Sequence, residues 1–408
     1  NGELVLKKDA IKNYIPCKVC LDNKNKENFS EYIIPQSLNK YPRSVYKKDG
    51  FLELYLINPL EFTKPNKNCT TPICKRIVKE INSSTKSIDL ALYGVGSQDE
   101  IINALKNAKK RGVLIRAVVD YSRNGDEIYP QTKQFIQEFS AVVDKPGSLM
   151  HNKFFIIDNR KVISGSANIS SSGTGGYNAN SVVVLDSTKI ANSYKKEFEQ
   201  MFSGQFSNKK AENEIVEDNN VSVYFPPKND VYSKLILNEI RGAKKEIFVS
   251  AFYLTDKNLI NELILAKKRG VFVLVLMDAL CANNFRSNVK MLRDSKIPTI
   301  VEDWGGKNHE KTILIDSNTL IMGSCNFSKS GFYKNDENIL LIKNKNLVSF
   351  YRDYYLYLFN SIDRKFLKLI PRAESLESKN SCFDGIDNNF DGKIDKEDEG
   401  CRIQKPNK

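Results

Sequence analysis

His151-Asn152-Lys153, followed by Asp158 and then Gly165-Ser166-Ala167-Asn168, is written a second time further along the chain. The second copy reads His309-Glu310-Lys311, Asp316 and Gly323-Ser324-Cys325-Asn326, and every paired position is 158 residues apart. These copies contain both of the histidines present in 408 residues. Imidazole is the side chain best matched to proton transfer and nucleophilic attack near neutral pH. The duplicated stretch is therefore where chemistry is expected.

The repeat extends over whole elements. Ala108-Lys109-Lys110-Arg111-Gly112-Val113 recurs at the same offset as Ala266-Lys267-Lys268-Arg269-Gly270-Val271, Asp120 recurs as Asp278, and Asn180 as Asn338. Glu80-Ile81 matches Glu239-Ile240 at an offset of 159, so one residue has slipped in between. One large period means two copies of a domain-sized unit. Within the first unit, residues 73–82 have helical spacing, 87–93 read as a buried strand, and 99–110 form an amphipathic helix that stops at Gly112. Residues 113–119 form the next strand, 154–157 and 162–163 a strand pair around the turn at 158–160, 182–185 another strand, and 191–202 a closing helix. Alternating strands and helices predict an α/β fold. Two such sandwich halves related by a pseudo-twofold axis would set His151 and Lys153 opposite His309 and Lys311, across one shared active site. The halves are expected at 51–203 and 221–370, joined by a polar linker at 204–220. An N-terminal Cys-containing extension (1–50) and a Cys-bracketed module (380–402) lie outside them.

The two motifs resemble the signature of the phospholipase D superfamily, His-x-Lys-x4-Asp followed by Gly-Ser-x-Asn, over roughly residues 70–360. More narrowly, the chain is similar to secreted bacterial two-motif members of the nuclease and phosphodiesterase type. The resemblance implies mixed sheets flanked by helices, with one site built from both halves. It also implies a covalent phosphohistidine: one imidazole attacks phosphorus, and the other protonates the leaving oxygen and then activates water. Lys153, Lys311, Asn168, Asn326, Ser166 and Ser324 would stabilise the phosphoryl oxygens, so no metal cofactor is expected for catalysis. Asp158 and Asp316 follow apolar strands, open turns, and are expected to support the site without transferring protons. The family pattern makes His151 the nucleophile. Glu337 lies 28 residues after His309, whereas the position 28 after His151 is Ala179. Glu337 is thus expected to orient His309, which points the other way on the nucleophile.

The net charge of +13 favours a polyanionic partner: nucleic acid, DNA before RNA, or an anionic membrane surface. Arg123, Arg286, Trp304 and Lys307 are rim candidates for substrate contact, as cations and an aromatic close to the motifs in sequence. No run of 18 or more apolar residues is present. Cys17/Cys20, Cys69/Cys74 and Cys382/Cys401 are local pairs suited to an oxidising compartment, hence a secreted, cell-surface or periplasmic location. The first four cysteines could instead form a zinc site. Cys281 and Cys325 read as buried packing residues. The stretch from Cys17 to Leu38 resembles a Cys-rich His-Asn-His nuclease finger, but Tyr32 stands where that family has its histidine, and no activity is carried over. The run Asp387, Asn389, Asp391, Gly392, Lys393, Asp395, Asp398 resembles an EF-hand or dockerin-like calcium loop, with Lys393 contributing its backbone carbonyl, and implies a structural calcium ion. The expected protein is a monomeric, metal-independent phosphodiesterase that cleaves nucleic acid, as a DNA endonuclease. A phospholipase D acting on membrane lipid and a catalytically dormant binding module are the alternatives.

Overall fold

Each half of the chain builds an eight-stranded sheet, and the two sheets share one spatial order of strands. A computed structural model describes residues 34–37, 41, 43–120, 129, 131–144 and 147–402. The first sheet runs Val45–Asp49, Leu52–Ile57, Asn180–Asp186, Lys161–Gly165, Lys153–Ile157, Ser87–Leu92, Leu114–Val119, Val142–Val143. The second runs Val216–Asp218, Val221–Tyr224, Ile339–Ile342, Thr319–Gly323, Lys311–Ile315, Glu246–Ala251, Phe272–Met277, Thr299–Val301. Both sheets are mixed. Ser87–Leu92 pairs in parallel with Leu114–Val119 and antiparallel with Lys153–Ile157, and the second sheet repeats this arrangement. The one-residue slip in the repeat is visible, since Ser87 begins its strand 159 residues before Glu246, whereas Lys153 begins its strand 158 before Lys311.

The elements follow from local chemistry. Lys153–Ile157 (KFFII) is buried along its whole length, as an uninterrupted apolar run in a sheet covered on both faces requires. Helix Asp99–Lys110 carries Asp99 and Glu100 in its first turn and Lys109 and Lys110 in its last, which complements the helix dipole. Its Ile101, Ala104, Leu105 and Ala108 are buried against the sheet. Helix Pro72–Ser83 starts at a Thr71 cap with proline in the first turn.

The two sheets face each other across helices Thr188–Phe202 and Lys345–Ser361. Tyr194, Phe198 and Met201 from the first helix join Tyr351, Tyr354, Tyr355 and Phe359 from the second in one apolar cluster that takes in strands of both halves. Separate clusters underlie the outer helices of each half. The halves are therefore fused through a common core, and their relative position is fixed by packing. The first sheet already begins at Val45, inside the stretch expected as an N-terminal extension. The linker is also part of the fold. Its Lys210 is fully buried between Glu197 and Asp336 (2.6 Å to Asp336), and Val216–Asp218 forms the edge strand of the second sheet.

Candidate active site

His151 and Lys153 flank the start of strand Lys153–Ile157, and His309 and Lys311 the start of Lys311–Ile315. A strand alternates its side chains, so residues two apart share a face. Both histidines and both lysines are buried, and each imidazole feels the positive charge of the other half's lysine. The two motifs therefore converge on one site, as the sequence led us to expect.

The partners of the histidines correct one expectation. Glu337 does not orient His309. Both of its oxygens lie 2.9 Å from Nδ1 of His151, across 186 residues of sequence and across the two halves. His309 Nδ1 instead meets Oδ1 of Asn180 at 3.1 Å. Each histidine is thus held by the other half, one by a carboxylate and the other by an amide. Ser324 Oγ donates to Glu337 (2.5 Å) and Ser166 Oγ donates to Asn180 (2.9 Å). The two serines therefore fix the groups behind the histidines, where the sequence suggested donors to substrate. With Nδ1–H directed at these acceptors, Nε2 of each ring is left for chemistry.

Burial pushes the His151 imidazole down to about 4, although Glu337 pulls the other way. His309 lies well below the ordinary value through burial and the charges of Lys311 and Lys153. Near neutral pH the His151–Glu337 contact is then a neutral imidazole donating to a carboxylate. Burial brings Lys153 and Lys311 each to about 7, against the pull of Glu337. Each lysine donates to the backbone carbonyl of its own histidine, at 2.6 and 2.7 Å, and lies over an aromatic ring, Lys153 over Tyr93 and Lys311 over Phe252. The same rings pack against His151 and His309, with centroids 4.6 and 5.2 Å apart. Tyr93 and Phe252 were not among the expected site residues. The available signal was an aromatic at the end of equivalent strands, 159 residues apart.

Asp158 takes the backbone N–H groups of Thr85, Lys86 and Ser87, and Asp316 those of Lys244, Lys245 and Glu246. Both carboxylates tie strand entries together at the end of the strand away from the histidines. Gly165 and Gly323 are required by close approach: a Cβ would sit 2.2 Å from the carbonyl oxygen of Ser181 or Asn338. Asn168 donates to Tyr129 (2.8 Å), and Oδ1 of both Asn168 and Asn326 is buried without a partner among the described residues. Turning either amide over keeps its shape and presents N–H groups there.

A carboxyl pair stands behind each motif, of which only Asp120 and Asp278 stood out in the sequence, as a repeat. Asp120 and Asp144 both accept from the Met150 N–H (2.8 and 3.2 Å), and their counterparts 158 residues on are Asp278 and Glu302. Asp278 accepts from the Asn308 N–H at 3.0 Å. Asp120, Asp144 and Asp278 thus hold the residue preceding each histidine, while Glu302 accepts from the N–H groups of Ala279 and Trp304. Burial and the neighbouring Asp144 push Asp120 up to about 8, and burial likewise raises Asp278 and Glu302.

The rim candidates fare differently. Arg123 lies outside the described residues. Arg286 sits in a turn with its guanidinium over the exposed Phe285 ring. Trp304 is only 2% exposed, with its side chain in the apolar cluster shared by the two halves, so it is no stacking platform. Lys307 borders the site, 6.0 Å from the Phe252 centroid. Cys281 and Cys325 are free and buried, as expected. Cys69–Cys74 and Cys382–Cys401 are disulfides, which removes Cys69 and Cys74 from any zinc set, while Cys17 and Cys20 lie outside the described residues.

In the C-terminal loop Asp387 accepts from the N–H groups of Asp391 and Gly392, Asp391 from Lys393, and Asp395 from Asp384 and Gly385. Asn389 bonds to Asp398. The donors are all oxygen, as calcium prefers. As placed, they satisfy the loop's own backbone, and among the described residues no three acidic, cysteine or histidine side chains gather as a cage. Glu374, fully buried and unanticipated, accepts from the N–H groups of Asn388 and Asp395 and anchors the loop.

Comparison with known proteins places this geometry in a family. Residues 77–202 and 236–358 match the family described as "Cardiolipin synthase, PLD-like domain", so the chain belongs to the PLD-like family. It is 33% identical over 132 residues to a phospholipase D of Rickettsia prowazekii, covering 32% of this chain and 64% of that protein. It is 32% identical over 161 residues to the mitochondrial cardiolipin hydrolase of Drosophila melanogaster, covering 34% of this chain and 61% of the relative. The chain thus spans under two thirds of the length of each. The crystal structure of phosphatidylserine synthase from Haemophilus influenzae superimposes with a TM-score of 0.57 at 11% identity, covering 78% of this chain and 90% of that one, a likeness of fold.

Proposed function

We propose that this protein is a phosphodiesterase that cleaves nucleic acid through a phosphohistidine on His151. The observation that carries the chemistry is the unequal backing of the two histidines. A nucleophilic imidazole gains positive charge as it bonds to phosphorus, and a buried carboxylate on Nδ1 stabilises that charge. Glu337 occupies that place for His151. His309, backed by the neutral amide of Asn180, is suited to pass a proton to the leaving oxygen and then to take one from water. An empty buried site holds both rings neutral. The anionic phosphodiester, on entry, raises the proton affinity of His309 and of the lysines, so the acid is charged by its own substrate. Lys153 and Lys311 supply positive charge to the non-bridging oxygens, and no step requires a metal ion.

Nucleic acid is favoured by the net charge of +13. The second reading, a lipid phosphodiesterase, is supported by relatives named phospholipase D and cardiolipin hydrolase. The same chemistry would serve both. Two disulfides support a secreted or periplasmic location. No helix among the described residues is long and apolar enough to cross a membrane. Calcium in the Asp387–Asp398 loop is part of this proposal, as a structural ion that takes no part in the chemical steps.

The test uses bis(p-nitrophenyl) phosphate, whose leaving group departs without an acid. His309→Ala should still release one equivalent of nitrophenol in a burst and trap a phospho-protein, and His151→Ala should do neither. A burst from His151→Ala instead would refute the assignment. Plasmid DNA in excess EDTA and cardiolipin vesicles in parallel decide the substrate: nicking with intact lipid supports the nuclease, and lipid hydrolysis with intact plasmid overturns it.

A further inference from the structure

The inequality of the two halves continues beyond the histidines. The first half has Leu149 at the position whose counterpart, 158 residues on, is Lys307. On one side Lys307 Nζ lies 6.0 Å from the Phe252 centroid, and Phe252 itself packs on His309 and Lys311. On the other side Nζ lies 3.7 Å from the centroid of Phe390. A row of ring, cation and ring therefore leads from His309 outward. Phe390 belongs to the disulfide-bracketed C-terminal module. It is 68% exposed, and its backbone has φ +62°, a region that bulky residues rarely adopt. The turn that sets the ring is held by the Asp391 N–H, which donates to Asp387 Oδ1 (3.2 Å) and Asn389 Oδ1 (3.0 Å).

The module is docked firmly enough to hold that ring. Tyr177 donates to Asp384 (2.5 Å), Ser378 donates to the Trp304 carbonyl (2.9 Å), and the Lys379 N–H donates to the Asp303 carbonyl (2.6 Å). Gly305 and Gly306 allow this approach, since a Cβ on either would strike Tyr177 within 2.0 Å. The backbone N–H of Lys307 is fixed by Asn178 Oδ1 at 2.9 Å. The module is thus one wall of the site on the His309 side, and the first half has no equivalent of it among the described residues.

We propose that Lys307 and Phe390 form a leaving-group subsite that takes the next phosphate and the adjacent base of a polynucleotide. The proposal rests on the nuclease reading with His151 as nucleophile. Displacement at phosphorus puts the leaving oxygen in line with and opposite the attacking nitrogen, hence on the side of His309. The leaving chain then runs along the row that ends at Phe390. An ammonium for a phosphate beside an exposed ring for a base is the usual pairing for single-stranded nucleic acid.

The experiment compares a single-stranded oligonucleotide with bis(p-nitrophenyl) phosphate, which has no second phosphate and no base, using the full chain and the variants Lys307→Met, Phe390→Ala and Phe390→Trp. The ratio of the two kcat/KM values should fall about tenfold in Lys307→Met and in Phe390→Ala, the scale of one base stacked on an aromatic, and return in Phe390→Trp. Phe390 is exposed, so its variants should fold; circular dichroism checks this. An unchanged ratio in both variants would overturn the subsite while leaving the nuclease intact. A loss confined to cardiolipin vesicles, with the oligonucleotide unaffected, would also overturn it and assign Phe390 to a lipid surface. A wild-type protein that hydrolyses bis(p-nitrophenyl) phosphate but leaves the oligonucleotide whole would sink the nuclease reading, and this subsite with it.

Discussion

Replacing Glu337 by Gln removes one negative charge from behind His151 and little else. The side chain is fully buried, accepts from His151 at 2.9 Å and from Ser324 at 2.5 Å, and its amide isostere fits the same space. An amide oxygen can still hold the imidazole in the right tautomer, as Asn180 does for His309. What is lost is the attraction to the positive charge that develops on His151 as the N–P bond forms. A hydrogen bond to a charged group contributes about 1.5–3 kcal/mol net. Deleting one preorganised stabiliser of a developing charge costs about 3–4 kcal/mol in comparable sites. At about 1.4 kcal/mol per tenfold, the loss in kcat/KM should be about 10²–10³-fold. Because Glu337 raises the His151 pKa, its removal should also move the acid limb of kcat/KM, expected near pH 4 in the wild type, to lower pH. The assay is steady-state hydrolysis of bis(p-nitrophenyl) phosphate from pH 3.5 to 9, with the burst measured separately. Glu337→Gln should slow the burst itself, whereas Asn180→Ala should mainly slow the steady state. Activity within about fivefold of wild type, with an unmoved acid limb, would refute the role given to the carboxylate.

The lysines make further predictions. Their charge in the free enzyme is present below about pH 7 and lost above it, so kcat/KM should decline on the alkaline side from near pH 7; a profile flat to pH 9.5 would contradict the burial that lowers them. Lys153→Met removes a buried charge that folding disfavours, so it should abolish turnover while raising Tm by several degrees in differential scanning calorimetry; a lower Tm would show that the lysine supports the fold. Calcium at millimolar concentration should raise the Tm of wild type relative to EGTA but leave Asp387→Ala/Asp391→Ala unmoved; equal melting of wild type in both buffers would remove calcium from the loop.

Much of the site was readable because it is local. A histidine and a lysine two residues apart at a strand start must share a face, and an aspartate at the end of the same short strand must sit away from them. Gly-Ser-x-Asn was likewise interpretable, since the glycine is needed wherever a neighbouring carbonyl leaves no room for Cβ. The buried carboxyl pairs were half legible, because Asp120 and Asp278 stood out as repeats, but Asp144 and Glu302 reach them only through sheet packing.

The mistaken partner for Glu337 shows where linear reading stops. Its spacing from His309 suggested a pair within one half. The structure exchanges partners, so each histidine takes its acceptor from the opposite half. Asn180, one residue beyond the matched Ala179, is what replaces the carboxylate. Trp304 failed for the same kind of reason: an aromatic beside a motif resembles a stacking surface until the fold turns it into the core shared by the two halves.

Two copies of an α/β unit, an intact chemical motif in each, and the strands that present them are all legible along the chain, because period, turn chemistry and local spacing are properties of neighbouring residues. The inequality of the histidines, the place of the C-terminal module beside the site, and the meeting of Lys307 with Phe390 emerge from packing alone. Those are contacts between segments far apart in the chain, fixed by a shared core and by burial that no local pattern encodes.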